Sequence, residues 1–144
     1  MTNNNFAVLV VEDDKHDVRF LKRAWKINQI ANELVIVPHG QACLDFLRNE
    51  GDYHDENKFP KPGIILMDIR MPVMNGIECL QQIKADQSLK TIPVVMLTTS
   101  KEDEDRLKSY KLGANSFIQK PIEFDEFAQA VQAINLYWEL SELP

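Results

Sequence analysis

Short apolar runs alternate with longer amphipathic ones along this chain. "FAVLVV" (6–11), "LVIV" (34–37), "GIILM" (63–67), "PVVML" (93–97) and "NSFIQ" (115–119) are rich in β-branched and aromatic residues and predict strands. The first, third and fourth are apolar at successive positions, as strands covered on both faces are. Helical spacing fills the gaps. Val18, Leu21 and Trp25 mark 17–28, Cys43, Leu44 and Leu47 mark 40–49, and Ile77, Leu80 and Ile83 mark 76–86. A weaker stripe, Leu107 and Tyr110, predicts a helix over 103–112 that Gly113 caps. The last helix runs from about 123 through Phe124, Phe127, Val131, Ile134 and Trp138.

Strict alternation of strand and helix argues an open parallel sheet with helices on both faces. Right-handed crossovers then gather the C-terminal ends of all strands at one edge, where ligands of such sheets bind. The stretch "RNEGDYHDENKFPKPG" (48–63) breaks the rhythm. It is longer than a usual connection and reads as either a partner surface or tolerated decoration.

Composition narrows the function classes. The 144 residues suit one domain, 1–144, with a core of about 6–135 and an apolar extension over 136–144. A net charge of −6 argues against a nucleic-acid footprint. No apolar stretch approaches membrane-spanning length, and the N-terminus lacks the basic region of a signal peptide. A soluble cytoplasmic protein is expected. Cys43 and Cys79 fall inside apolar-periodic segments and read as reduced, buried small residues, too far apart in sequence for a redox or metal motif.

The chemistry lies at the strand ends. The first strand runs into Glu12, Asp13 and Asp14, the third into Asp68, the fourth into Thr98, Thr99 and Ser100, and the fifth into Lys120. Asp14 reads as the N-cap of the first helix. Glu12, Asp13 and Asp68 form an oxygen cluster that repels itself unless a cation intervenes, and hard oxygens in a partly hydrated site suit Mg²⁺. Lys120 supplies a positive charge, and the Thr98 hydroxyl and Thr99 amide could hold phosphate oxygens. Such a set fits phosphoryl transfer, in which a carboxylate can itself be the nucleophile. Asp68, alone at the end of the central apolar strand, is the best-placed candidate. Each group singly has an ordinary explanation as a turn, strand or loop residue. Their joint occurrence on these strands is what points to a site.

"VLVVEDD", "ILMDIRMPVMNG", "PVVMLTTS" and "GANSFIQKPI" together resemble the receiver domain of two-component response regulators, over about 6–135. The resemblance implies a flavodoxin-like, doubly wound (βα)5 fold with strand order 2-1-3-4-5. It implies Asp68 as phosphoacceptor and a Mg²⁺ ion, replaceable by Mn²⁺, held by Asp13, Glu12, Asp68 and the Arg70 carbonyl. Thr98, Thr99 and Lys120 would bind the phosphoryl group, and Thr98 with Phe117 would form the conformational switch. Arg70 and Ser100 would tune hydrolysis. Pro72 and Gly76 would shape the exit from the nucleophile, with Met71 and Met74 packed beneath the metal site and not ligating it.

No output domain is apparent, so a phosphorelay shuttle or a binder of targets through its own surface is expected, with a sensor histidine kinase as donor. Leu136, Leu140 and Leu143, with Tyr137, give the tail a second apolar stripe, which implies packing on the domain or a homodimer or partner surface. Tail and insertion together resemble regulators paired with phytochrome kinases. Two other classes compete. A flavin-binding carrier would need a Ser/Thr/Gly-rich loop where "EDDKHD" stands, and a phosphorylation-independent interaction module would be expected to lack Asp68, Asp13 or Lys120.

Overall fold

In a computed structural model of the chain, the described residues are 6–27, 29, 31–69, 74–98 and 116–119, with the backbone alone at 98 and 116–119. Five strands, β1 (Val8–Val11), β2 (Leu34–Val37), β3 (Ile64–Asp68), β4 (Val94–Thr98) and β5 (Ser116–Gln119), form one sheet in the order β2-β1-β3-β4-β5. Every neighbouring pair is parallel. This is the flavodoxin-like arrangement and order that the sequence implied.

The two-residue period of each strand divides the core in two. Leu9, Val11, Ile65, Met67, Val94 and Met96 pack with the buried residues of helices α2 (Gly40–Arg48) and α3 (Gly76–Ala85). Val8, Val10, Ile64, Leu66, Val95 and Leu97 pack with Leu21 and Trp25 of α1 (Lys15–Ile27). Both sides of β1 and β3 are thus dry, which is why their sequences are apolar without alternation. The expected helices over 103–112 and from about 123, and the tail residues Leu136, Tyr137, Leu140 and Leu143, lie outside the described residues.

Local chemistry moves several boundaries. α1 begins at Lys15, not at 17, because Asp14 Oδ1 accepts from the backbone N–H of His16 (2.8 Å) and Asp17 (3.1 Å). Asp14 therefore serves as the expected cap, and the apolar stripe simply starts later than the helix. α2 ends at Arg48, since Asn49 turns left-handed with φ 54°. β1 starts at Val8, two residues later than expected. Phe6 instead packs at the edge of the α1-side core, and its carbonyl accepts from the buried Asn32 amide at 2.9 Å. β4 starts after Pro93, which has no N–H for the ladder but whose carbonyl accepts from Ile65 at 2.9 Å.

The segment after α2 is a packed loop. The Asn49 side-chain amide donates to the carbonyls of Tyr53 (3.1 Å) and Phe59 (2.9 Å), clasping the loop shut around a 3-10 turn, Gly51–Tyr53. Tyr53 and Phe59 pack against Phe46 of α2 in tilted and edge-on contacts, with ring centroids 5.3 and 5.7 Å away. Its acidic residues Asp52, Asp55 and Glu56 remain exposed.

Cys43 and Cys79 are both buried and unbridged, as expected. Their wide sequence spacing misleads in one respect. The first turns of α2 and α3 are in contact, the Cys79 thiol donating to the Gly40 carbonyl at 3.6 Å, and Cys43 has Cys79 as its neighbour.

Candidate functional site

The site is assembled by strand register. Val11 of β1 pairs with Met67 of β3, so the next residues, Glu12 and Asp68, lie side by side at the C-terminal edge of the sheet. Glu12 is held there by its backbone N–H, which donates to the Val37 carbonyl of β2 at 3.0 Å. β3 extends one residue further than its apolar run suggests: Asp68 pairs with Leu97, and Ile69 N–H donates to the Leu97 carbonyl at 3.1 Å. The proposed nucleophile therefore stands on sheet backbone and not in a loop.

Burial separates the three acids. Glu12 is 2% and Asp68 8% exposed, whereas Asp13 is exposed at the rim. One carboxylate oxygen from each lies within 4.8 Å of the others. Three like charges so close raise one another's cost, and a divalent cation removes it. Hard oxygen donors, two from the sheet and one from the rim, fit Mg²⁺ or Mn²⁺, which retain water in the remaining positions.

The chain returns over Asp68 through Gly76. Gly76 N–H donates to the Ile69 carbonyl at 2.8 Å, and a Cβ on Gly76 would overlap the Asp68 carbonyl oxygen. Only glycine allows this approach. α3 then starts with a capping box: Asn75 Oδ1 accepts from Glu78 N–H at 2.9 Å, and Glu78 reaches back to the Asn75 N–H. The Asn75 to Glu78 spacing is the sequence signature of this cap. Met74 is half-buried and lies against Gly40 at the start of α2.

The remaining expected residues divide in two. Thr98 ends β4 one residue beyond the partner of Asp68, and Phe117 sits in β5 beside Met96. Arg70, Met71, Pro72, Thr99, Ser100 and Lys120 lie outside the described residues. Among the described residues no helix is long and apolar enough to cross a membrane.

Known proteins share this pattern. The model of the response regulator receiver domain matches residues 8–132. Response regulator Rcp1 of Synechocystis sp. is 37% identical over 132 residues, spanning 92% of this chain and 88% of that protein. Its Mn²⁺-bound crystal structure superposes with a TM-score of 0.76 at 36% identity, over 93% of this chain and 94% of that one. The bacteriophytochrome response regulator RtBRR gives a TM-score of 0.80 at 40% identity, covering 90% of this chain and 78% of that one. The phosphorylated cyanobacterial phytochrome response regulator RcpA gives 0.78 at 35% identity, over 97% of both chains. Sheet order, the acidic edge and these likenesses agree, and the chain belongs to the response regulator receiver domain family.

Proposed function

We propose that this protein is a signalling phosphoacceptor in which Asp68 takes a phosphoryl group from the phosphohistidine of a sensor kinase. The observation that carries this reading is the meeting of Glu12, Asp13 and Asp68 at the C-terminal edge of the sheet, their oxygens within 4.8 Å. In the step, a carboxylate oxygen of Asp68 forms the new bond to phosphorus as the bond from phosphorus to the imidazole nitrogen breaks. Asp13 and Glu12, with Asp68 and the Arg70 carbonyl, would hold Mg²⁺, or Mn²⁺ in its place. The ion supplies charge neutralisation between the carboxylates and the phosphoryl oxygens. Thr98, the Thr99 amide and Lys120 are assigned to the phosphoryl group, and Arg70 and Ser100 to its rate of hydrolysis. Thr98 and Phe117 form the switch that reports phosphorylation. The register supports this pairing, since Thr98 and Phe117 lie on adjacent strands two residues apart along the sheet.

The likeness to RtBRR, RcpA and Rcp1 supports a phytochrome-type histidine kinase as donor. The second apolar stripe of Leu136, Leu140 and Leu143 is assigned to a homodimer, which sedimentation at several concentrations tests. A strict monomer at high concentration, phosphorylated or not, removes that part.

Labelling with acetyl phosphate tests the core reading. Wild type should label only when Mg²⁺ is present, and Asp68→Asn should not label. Equal labelling of the two proteins would overturn Asp68 as acceptor. A protein that never labels from acetyl phosphate or any kinase would favour a phosphorylation-independent interaction module. Onward transfer to a histidine phosphotransfer protein would make the chain a relay shuttle.

A further inference from the structure

Cys43 and Cys79 come from the first turns of two helices that pack against each other. Each occupies the same place in its helix, with Cys43 N–H donating to the His39 carbonyl and Cys79 N–H to the Asn75 carbonyl, the two cap residues. The Cys79 thiol lies 3.6 Å from the Gly40 carbonyl, to which it donates across the helix pair. The Cys43 thiol is in turn hydrogen-bonded to Cys79. Both side chains are fully buried. Two thiols placed so, each with a hydrogen-bond partner and neither in contact with water, form a preassembled dithiol.

From this geometry we infer that Cys43 and Cys79 are an oxidisable pair whose disulfide clamps α2 to α3. The oxidant is a small hydroperoxide. One thiol, as thiolate, attacks the peroxide oxygen, giving a sulfenic acid and releasing water or an alcohol. The second thiol attacks the sulfenic sulfur, the S–S bond forms and a water leaves. Two hydrogen atoms are lost from the protein as the peroxide is reduced.

The same surroundings make the reaction slow. The hydrogen bond to Cys79 first, and burial second, push the Cys43 thiol up from its ordinary range, so little thiolate exists in the closed structure. Full burial shuts out bulky disulfides such as glutathione disulfide, so the oxidant must be a small hydroperoxide that reaches the pair as the packing fluctuates. The clamp has a consequence near the site. Cys79 lies in the first turn of the helix that begins at Gly76, against the carbonyl of Asp68.

The experiment treats the whole native protein with hydrogen peroxide, then alkylates it in denaturant and measures intact mass. Wild type should lose both alkylatable thiols together, with a mass lower by two hydrogens, and recover them with dithiothreitol. Cys43→Ser and Cys79→Ser should show no such loss within the monomer. The oxidised wild type should melt about 5–10 °C higher than the reduced form, by constraint of the unfolded chain. Overturning results are two retained thiols under conditions that oxidise a free cysteine standard, loss only as intermolecular dimer or irreversible acid, or an unchanged or lower melting temperature. None of these readouts depends on phosphorylation, so this inference stands or falls apart from the role of Asp68.

Discussion

Gly76 is in backbone contact with Asp68: the space that a Cβ on Gly76 would take is already filled by the Asp68 carbonyl oxygen. The residue that carries the central carboxylate and the residue that opens α3 are thereby one packing unit, tied further by the hydrogen bond from Gly76 N–H to Ile69. Gly76→Ala should cost about 2 kcal/mol of stability by overpacking against backbone, which has less room to relax than a side chain. Urea denaturation measures it. The same variant should lose Mg²⁺-dependent labelling more than its stability loss explains, since Asp68 is what must move.

On the proposed reading, the clustered acids trade stability for metal binding. Asp13→Asn should stabilise the metal-free protein by about 1 kcal/mol, a figure kept small because Asp13 is exposed to screening solvent. It should also weaken Mg²⁺ by at least about tenfold, through loss of a charged ligand. Thermal melts with and without Mg²⁺ read both effects at once: wild type gains from the ion, and the variant gains without it. A variant less stable in the metal-free state would contradict the repulsion.

Asn49 holds the connection between α2 and β3 by two side-chain donors and its left-handed backbone. Asn49→Ala removes the donors and strains the φ, and should cost about 2 kcal/mol. Hydrogen exchange should speed up across 51–60 while the β1 and β3 amides keep their protection relative to global stability. Asn49→Gly restores the backbone freedom and should recover part of the loss.

Acid sensitivity has a local source at the end of α3. The Ser88 side chain, then its backbone N–H, and Arg48 hold the Asp86 carboxyl below its ordinary value. A depressed folded value means that the contribution is complete above the unfolded value and is lost as pH falls through the folded one. Ser88→Ala should therefore raise the Asp86 titration midpoint, read by carboxyl carbon NMR. The Arg48 to Asp86 contact of 3.5 Å is a surface pair, so added salt should move that midpoint only slightly.

How much of this was legible beforehand follows from the range of each interaction. The strands were legible because a strand buried on both faces must be apolar at every position, as Val8 to Val11 and Ile64 to Met67 are. Helix starts were less so, because α1 begins where Asp14 satisfies the first N–H groups and not where Val18 begins the stripe. The acidic cluster was legible in kind, since strand ends of a parallel sheet share one edge. That Asp68 remains within β3 was not, because it rests on the Leu97 backbone 29 positions away.

The sequence by itself determined the alternation of strand and helix, the strand order that its family motifs imply, and the residue types at the sheet's acidic edge. Each of these rests on local periodicity or on short motifs. Tertiary structure alone decided that the Glu12, Asp13 and Asp68 oxygens fall within 4.8 Å, that Gly76 abuts Asp68, that Asn49 clasps Tyr53 and Phe59, and that Cys43 touches Cys79. These depend on register and helix crossing. Contacts between distant residues are set by the packing of whole elements, which no window along the chain contains.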